Sequence, residues 1–276
     1  MLGASLRRRG VELLGRVENL EAAAESGSTA GIPLLHPWAN RLAGLEYRAA
    51  GRDVRLDGAS PILHFDSKGL PIHGVPWSKL PWEVTASRTD TIEARLAWTG
   101  PELLAVFPFP HALELRVAFA PGSLSLETTL FAGPGAAVPV AFGFHPYFAL
   151  PGSRPQWRLR LPAMRRLQLD ANGIPTGREE AAPAMDTPLA DGSWDDGFAL
   201  EAETATLGIS GGGLAISVDF LEGFGYAQVY APPGKPFVAL EPMTAPTSAL
   251  TTGRGLRTVA PGDRYRTAFR IRVEAA

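Results

Sequence analysis

Strict alternation of apolar and polar residues recurs along this chain and limits what it can become. Ile92-Glu93-Ala94-Arg95-Leu96-Ala97-Trp98, Leu113-Glu114-Leu115-Arg116-Val117-Ala118-Phe119 and Phe269-Arg270-Ile271-Arg272-Val273-Glu274 each place apolar side chains at every second position. That period matches a strand with one face dry and one face wet, and it does not match the 3.6-residue repeat of a helix. Leu124–Leu130, Trp157–Leu161 and Ile216–Phe220 read as further strands. Between them stand 30 Gly and 25 Pro, which break helices and favour turns. The expectation is an all-β chain, a large antiparallel β-sandwich with few short helices.

One segment has the other period. Val11, Leu14, Val17, Leu20 and Ala24 recur at helical spacing before Ser26-Gly27-Ser28, which predicts a helix there. The Pro- and Ala-rich stretch from Ile174 to Pro188 reads as a long loop. No composition break resembles a linker, so residues 1–276 are expected to form one domain.

Composition removes several function classes. A formal net charge of −2, with Lys only at positions 68, 79 and 235, gives no long-range field for nucleic acid or an anionic membrane. The chain has no cysteine, which excludes disulfides, thiol catalysis and thiolate metal sites. No apolar run has the length of a signal peptide or a membrane span, and the reading is a soluble cytoplasmic protein, monomeric or homodimeric. The glycine-rich nucleotide motifs, the G-x-S-x-G elbow and H-E-x-x-H are all missing. The five histidines, His36, His64, His73, His111 and His145, are at least nine residues apart, so no local pair has metal-ligand spacing.

Two segments carry candidate chemistry. If Val140-Ala141-Phe142-Gly143-Phe144-His145 is a strand, Val140, Phe142 and Phe144 share one face and Ala141, Gly143 and His145 the other. The imidazole then sits beside two nearly bare positions, with room for a ligand over the sheet, and Pro146 ends the ladder. Taken alone, the pattern equally suits a histidine hydrogen-bonded within an aromatic core. In Phe237-Val238-Ala239-Leu240-Glu241-Pro242 a carboxylate interrupts an apolar strand. A buried carboxylate must be paired, bound to a ligand or raised in pKa, whereas a strand-end Glu in solvent needs none of these. A third cluster, Trp38-Ala39-Asn40-Arg41, combines an aromatic ring with amide and guanidinium donors, the equipment of a sugar site or of an ordinary structural loop.

Taken in order, Asn40-Arg41, His73-Gly74, His145-Pro146-Tyr147-Phe148, Pro175-Thr176-Gly177, Trp194-Asp195-Asp196-Gly197-Phe198 and Glu241-Pro242 resemble the landmarks of the aldose 1-epimerase (galactose mutarotase) family. The resemblance spans nearly the whole chain. It implies the galactose mutarotase-like supersandwich, a monosaccharide substrate of the glucose or galactose type, and no cofactor or metal. By the same resemblance His145 is the general acid at the ring oxygen and Glu241 the general base at the C1 hydroxyl. Asn40, Arg41, His73 and Asp195 become substrate ligands, with Asp195 also expected to hold His145 cationic. The pattern departs from the family in Trp194, where Tyr is usual, and in the doubled Asp195-Asp196. Leu2–Leu6 resembles the interior of a family sequence, as if one or two leading strands were absent. A hexose-6-phosphate 1-epimerase and a non-catalytic carbohydrate-binding protein on the same fold are the alternatives.

Overall fold

The alternating segments form strands, and their dry faces meet. The computed structural model describes residues 1–276 and contains two antiparallel sheets of nine strands each. One sheet runs, in spatial order, Met185–Pro188, Arg158–Leu161, Ala205–Gly211, Leu214–Glu222, Arg264–Ala275, Ser123–Ala132, His111–Ala120, Thr91–Trp98 and Trp82–Ser87. The second runs Leu2–Gly3, Ile32–Leu35, Gly143–Phe144, Val238–Met243, Tyr226–Ala231, Trp194–Leu200, Met164–Leu169 and Pro175–Ala182, with Tyr147–Phe148 also paired to Val238–Met243. Between the sheets lies a core cluster of 56 buried residues, in which Phe144 from one sheet meets Phe269 from the other at 5.0 Å. The result is the expected β-sandwich with three short α-helices. No helix is long and apolar enough to cross a membrane.

Three local expectations are corrected. The helix expected from Val11 onward is confined to Leu20–Ser26, capped by the Asn19 side chain accepting from the Ala22 N–H and ended by Gly27 at φ 73°. Arg7–Arg8 and Val11–Glu12 instead form a small hairpin turned at Gly10, and the Leu13 and Gly15 backbones bond to Ala149 and Tyr147. Sheet hydrogen bonds outweigh the apolar spacing there. The loop expected over 174–188 contains two strands, Pro175–Ala182 and Met185–Pro188, each at the edge of a different sheet. The first is exposed along most of its length and the second is only four residues long, so neither offers a run of alternation to read. Finally, Val140 to Phe148 is three short strands, Val138–Val140, Gly143–Phe144 and Tyr147–Phe148, and Pro146 interrupts pairing without ending it.

Face alternation holds from Phe142 to His145, while Ala141, expected on the His145 face, joins the core cluster. Phe142 and Phe144 enter the core, while His145 points to the outer face of its sheet. The registers Gly143↔Met243 and Tyr147↔Ala239 bracket His145 and Glu241, so the two stand opposite one another across the gap between the short strands.

Candidate active site

On the outer face of the second sheet is a cavity of about 200 Å³. Asn40, Arg41, His73, His145, Asp195 and Glu241 all line it, brought together from strands and loops spread over two hundred positions. Beside the sheet, small apolar clusters flank the floor, Leu35, Ala39 and Met243 on one side and Tyr147, Phe237 and Ala239 on the other.

The floor is the pair His145 and Glu241. Nε2 of His145 lies 3.2 Å from Oε1 of Glu241, and the two residues are only 4% and 1% exposed. Nδ1 of His145 and Oε2 of Glu241 have no protein partner. The Tyr147 ring stacks on His145 at 4.2 Å, and its hydroxyl reaches His145 Nε2 at 3.3 Å and Thr29 Oγ1 at 2.6 Å. Burial pushes the Glu241 carboxyl well above its ordinary range, with Asp195 adding to the rise and Arg41 opposing it. Burial likewise pushes His145 well below its ordinary value, and His73 and Arg16 push the same way. The expectation that Asp195 holds His145 cationic is therefore corrected, because desolvation of the enclosed imidazole dominates. Both shifts favour the uncharged forms of the pair in the free site.

One wall is built on strained backbone that orients its side chains. Asn40 and His73 have φ of 56° and 63°, and the His73 N–H donates to the Asn40 carbonyl at 2.9 Å. Gly74, at φ 63°, lies so close to the His36 backbone that a Cβ there would meet the His36 carbonyl oxygen at 2.4 Å. The Asn40 N–H donates to His73 Nδ1, so Nε2 carries the ring hydrogen and is the donor left for the cavity. Burial, aided by Arg41 and His64, lowers the His73 pKa to about 3, and the ring is neutral. Arg41 donates to Asp66 at 2.7 Å and to the Asn40 side chain at 3.1 Å, and lies 3.8 Å from Asp195. Backbone N–H groups of Lys68 and Leu70 in turn hold Asp66.

The doubled aspartate separates by strand parity. Asp195 lines the cavity and accepts from Gln228 Nε2 at 2.7 Å, whereas Asp196 points away and pairs with Arg166. Trp38, read as a sugar-stacking surface, is 1% exposed and packs in the core near Tyr47. Tyr147 and Tyr230 are the aromatic residues that line the cavity. Sequence reasoning did not single out Arg16, His64, Asp66 or Tyr230. Tyr230 and Asp66 carry no local signal, and Arg16 lies in the segment whose spacing reads as helix.

No group of three or more His, Asp or Glu side chains is arranged to hold a metal ion. Chemically, the arrangement sets two buried titratable groups in contact at the floor of a cavity lined by hydrogen-bond donors and acceptors.

Known proteins match this architecture. The structure resembles the Slr1438 protein from Synechocystis sp. PCC 6803, with TM-score 0.78 and 24% identity over 97% of this chain and 86% of that one. A galactose mutarotase-like protein from Clostridium acetobutylicum gives TM-score 0.83 at 16% identity, covering 97% and 87% of the two chains. The GalM/aldose epimerase homologue from C. elegans gives 0.78 at 16% identity, covering 100% and 94%. In sequence, the protein called "Uncharacterized protein YihR" from Escherichia coli is 26% identical over 260 residues, 87% of this chain and 80% of that protein. The model of the aldose 1-epimerase family matches residues 5–272. With that match running through every segment that lines the cavity, the chain belongs to the aldose 1-epimerase family.

Proposed function

We propose that this protein is a cofactor-independent aldose 1-epimerase that interconverts the α and β anomers of a hexose, with Glu241 as base and His145 as acid. The observation that carries the reading is the 3.2 Å pairing of two buried, titratable groups at the floor of a sugar-sized polar cavity.

The chemistry needs one proton removed and one supplied. In the closed sugar complex Glu241 is ionised and His145 protonated. Glu241 takes the proton of the C1 hydroxyl while His145 delivers one to the ring oxygen, and the C1–O5 bond breaks to give an open-chain aldehyde with a free C5 hydroxyl. Rotation about C1–C2 presents the other face of the carbonyl. Attack by the C5 hydroxyl, with both protons returned, closes the ring as the opposite anomer.

The proton inventory explains the electrostatics. Ring opening leaves Glu241 protonated and His145 neutral, which is the distribution that burial favours in the free site. Burial thus supports the opened state against the closed one, and differential support of that kind accelerates a reaction. His73 Nε2–H, Asn40, Arg41 and Asp195 are assigned to hydroxyls of the ring. Asp66 and Gln228 orient Arg41 and Asp195 through the bonds described above. A non-catalytic sugar-binding role gives no reason for an acid and a base to be buried together at the cavity floor, each with an unpartnered atom.

Polarimetry of freshly dissolved α-D-glucose and α-D-galactose tests the reading. The expected result is decay toward equilibrium rotation faster than buffer alone for at least one sugar. Decay at the buffer rate for every aldose tried, phosphorylated ones included, sinks it.

A further inference from the structure

Two cations line the cavity, Arg16 and Arg41, and they differ in what they face. Arg41 is already engaged by Asp66 and lies near Asp195. Arg16 pairs with no carboxylate and donates no hydrogen bond; its guanidinium lies 5.3 Å from the Tyr147 ring centre and 5.9 Å from that of Phe237. Its guanidinium there presents a fork of unused N–H donors.

The fold holds it there against local preference. Arg16 has φ 60°, a left-handed conformation uncommon for a residue with a side chain. It follows Leu14, bridged to Phe148, and Gly15, whose N–H donates to the Tyr147 carbonyl at 3.1 Å. A Cβ at Gly15 would meet Phe237 Cβ at 2.7 Å, so the segment lies close against the cavity wall. Ser28 and Thr29 line the cavity on the same side, with the Thr29 hydroxyl bonded to Tyr147.

The position of Arg16 relative to the reacting atoms gives it meaning. His145 is assigned to the ring oxygen, Tyr147 stacks on His145, and Arg16 lies against Tyr147. In a pyranose the ring oxygen has two neighbours, the anomeric carbon and C5, and C5 carries the exocyclic C6. C6 is therefore one carbon removed from the ring oxygen, on the arm of the ring that leads away from the anomeric hydroxyl, and Arg16 is the cavity cation that no carboxylate engages. We propose that Arg16 is a specificity residue for aldoses whose C6 group is an anion, a hexuronate carboxylate or a 6-phosphate. This rests on the mutarotase reading and names its substrate class. The unused guanidinium donors meet the anion, and the Ser28 and Thr29 hydroxyls lie within the same wall to complete its hydrogen bonds.

The test measures anomer exchange by NMR for glucose, glucuronate and glucose 6-phosphate with wild type, Arg16→Gln and Arg16→Lys. The expected result is a wild-type kcat/KM at least about tenfold higher for one anionic sugar than for glucose, the usual scale of a charge-assisted contact. Arg16→Gln should bring that ratio close to one, with Arg16→Lys between. Added salt should lower the wild-type ratio, because it screens the contact. A preference for glucuronate assigns the carboxylate and a preference for glucose 6-phosphate the phosphate; either supports the proposal. A wild-type ratio at or below one for both anions, or a ratio unchanged in Arg16→Gln, overturns it. If none of the three sugars is turned over, the mutarotase reading fails separately. Calorimetric titration of folded wild type and Arg16→Gln with the same two anions then still reads Arg16: binding lost in the variant supports the anion site, and equal binding or none in the wild type overturns it.

Discussion

His145 and Glu241 stand opposite one another across two strand segments whose registers on either side, Gly143 with Met243 and Tyr147 with Ala239, leave the intervening pair facing at 3.2 Å. Because they exchange protons with one substrate, they act as a unit. Each single change, His145→Ala or Glu241→Gln, is expected to lower kcat by about 10² to 10⁴. The double variant should be little worse than the worse single one, since a lone acid or base cannot complete the cycle. Stopped-flow polarimetry on all three variants checks this; multiplicative losses would mean independent roles.

The pH profile follows from the shared proton. The active pair holds one proton; it gains a second below the depressed pKa of His145 and loses the last above the elevated pKa of Glu241. Activity in kcat/KM should therefore persist on acidification past 6.5, the ordinary imidazole value, before it falls. An acid limb centred at 6.5 would contradict the burial described here.

Stability should show the opposite preference among the enclosed imidazoles. His73 and His111 have folded pKa values lowered to about 3 and about 4. A histidine depressed in the fold binds its proton first in the unfolded chain, so its contribution is complete above 6.5 and is lost as pH falls toward the folded value. Each is expected to cost about 1.4 kcal/mol per pH unit in that window. Urea unfolding at pH 7.5, 6 and 5 measures the slope. His111→Gln, which removes one titrating group from a pair with His36 at 2.9 Å, should flatten it.

Asp195 and Asp196 offer a test by parity. Asp195→Asn changes a carboxylate held by Gln228 in the cavity and is expected to raise KM at least tenfold, the scale of about 1.4 kcal/mol for one charged contact. Asp196→Asn removes an ion pair with Arg166 on the opposite face, worth at most about 1 kcal/mol of stability, and should leave kcat and KM near wild type. The reverse ranking in steady-state kinetics would move the ligand role to Asp196.

Gly74→Ala probes the wall. Its Cβ would meet the His36 carbonyl oxygen and the strained φ of 63° adds to the cost, so the change should destabilise the fold by about 1–3 kcal/mol. It should also displace neighbouring His73 and raise KM beyond what global unfolding explains. Thermal unfolding and kinetics on the residual folded protein separate the two effects.

Much of this was legible because strands are written in period two. Phe142 and Phe144 could be set on one face and His145 on the other from spacing alone, and the carboxylate of Glu241 stood out within an apolar run. What was not legible depends on tertiary choices that leave no local mark. Pro175–Ala182 is an edge strand with six exposed residues between its ends, and without a buried face its sequence resembles a loop. Val11 to Ala24 has helical spacing, but Gly10 and Arg16 turn the chain through positive φ and its backbone bonds to the sheet. Trp38 is amphipathic enough for either a site or a core, and packing alone decides. Arg16 reaches the cavity only through that turn.

The central claim is that Glu241 is the base that opens the hemiacetal. Saturation transfer between the two anomeric proton signals of one aldose at equilibrium, with wild type and with the near-isosteric Glu241→Gln at equal concentration, measures it most directly. The account predicts exchange well above buffer for the wild type and a loss of at least about a hundredfold in the variant. Equal exchange in the two proteins would contradict it.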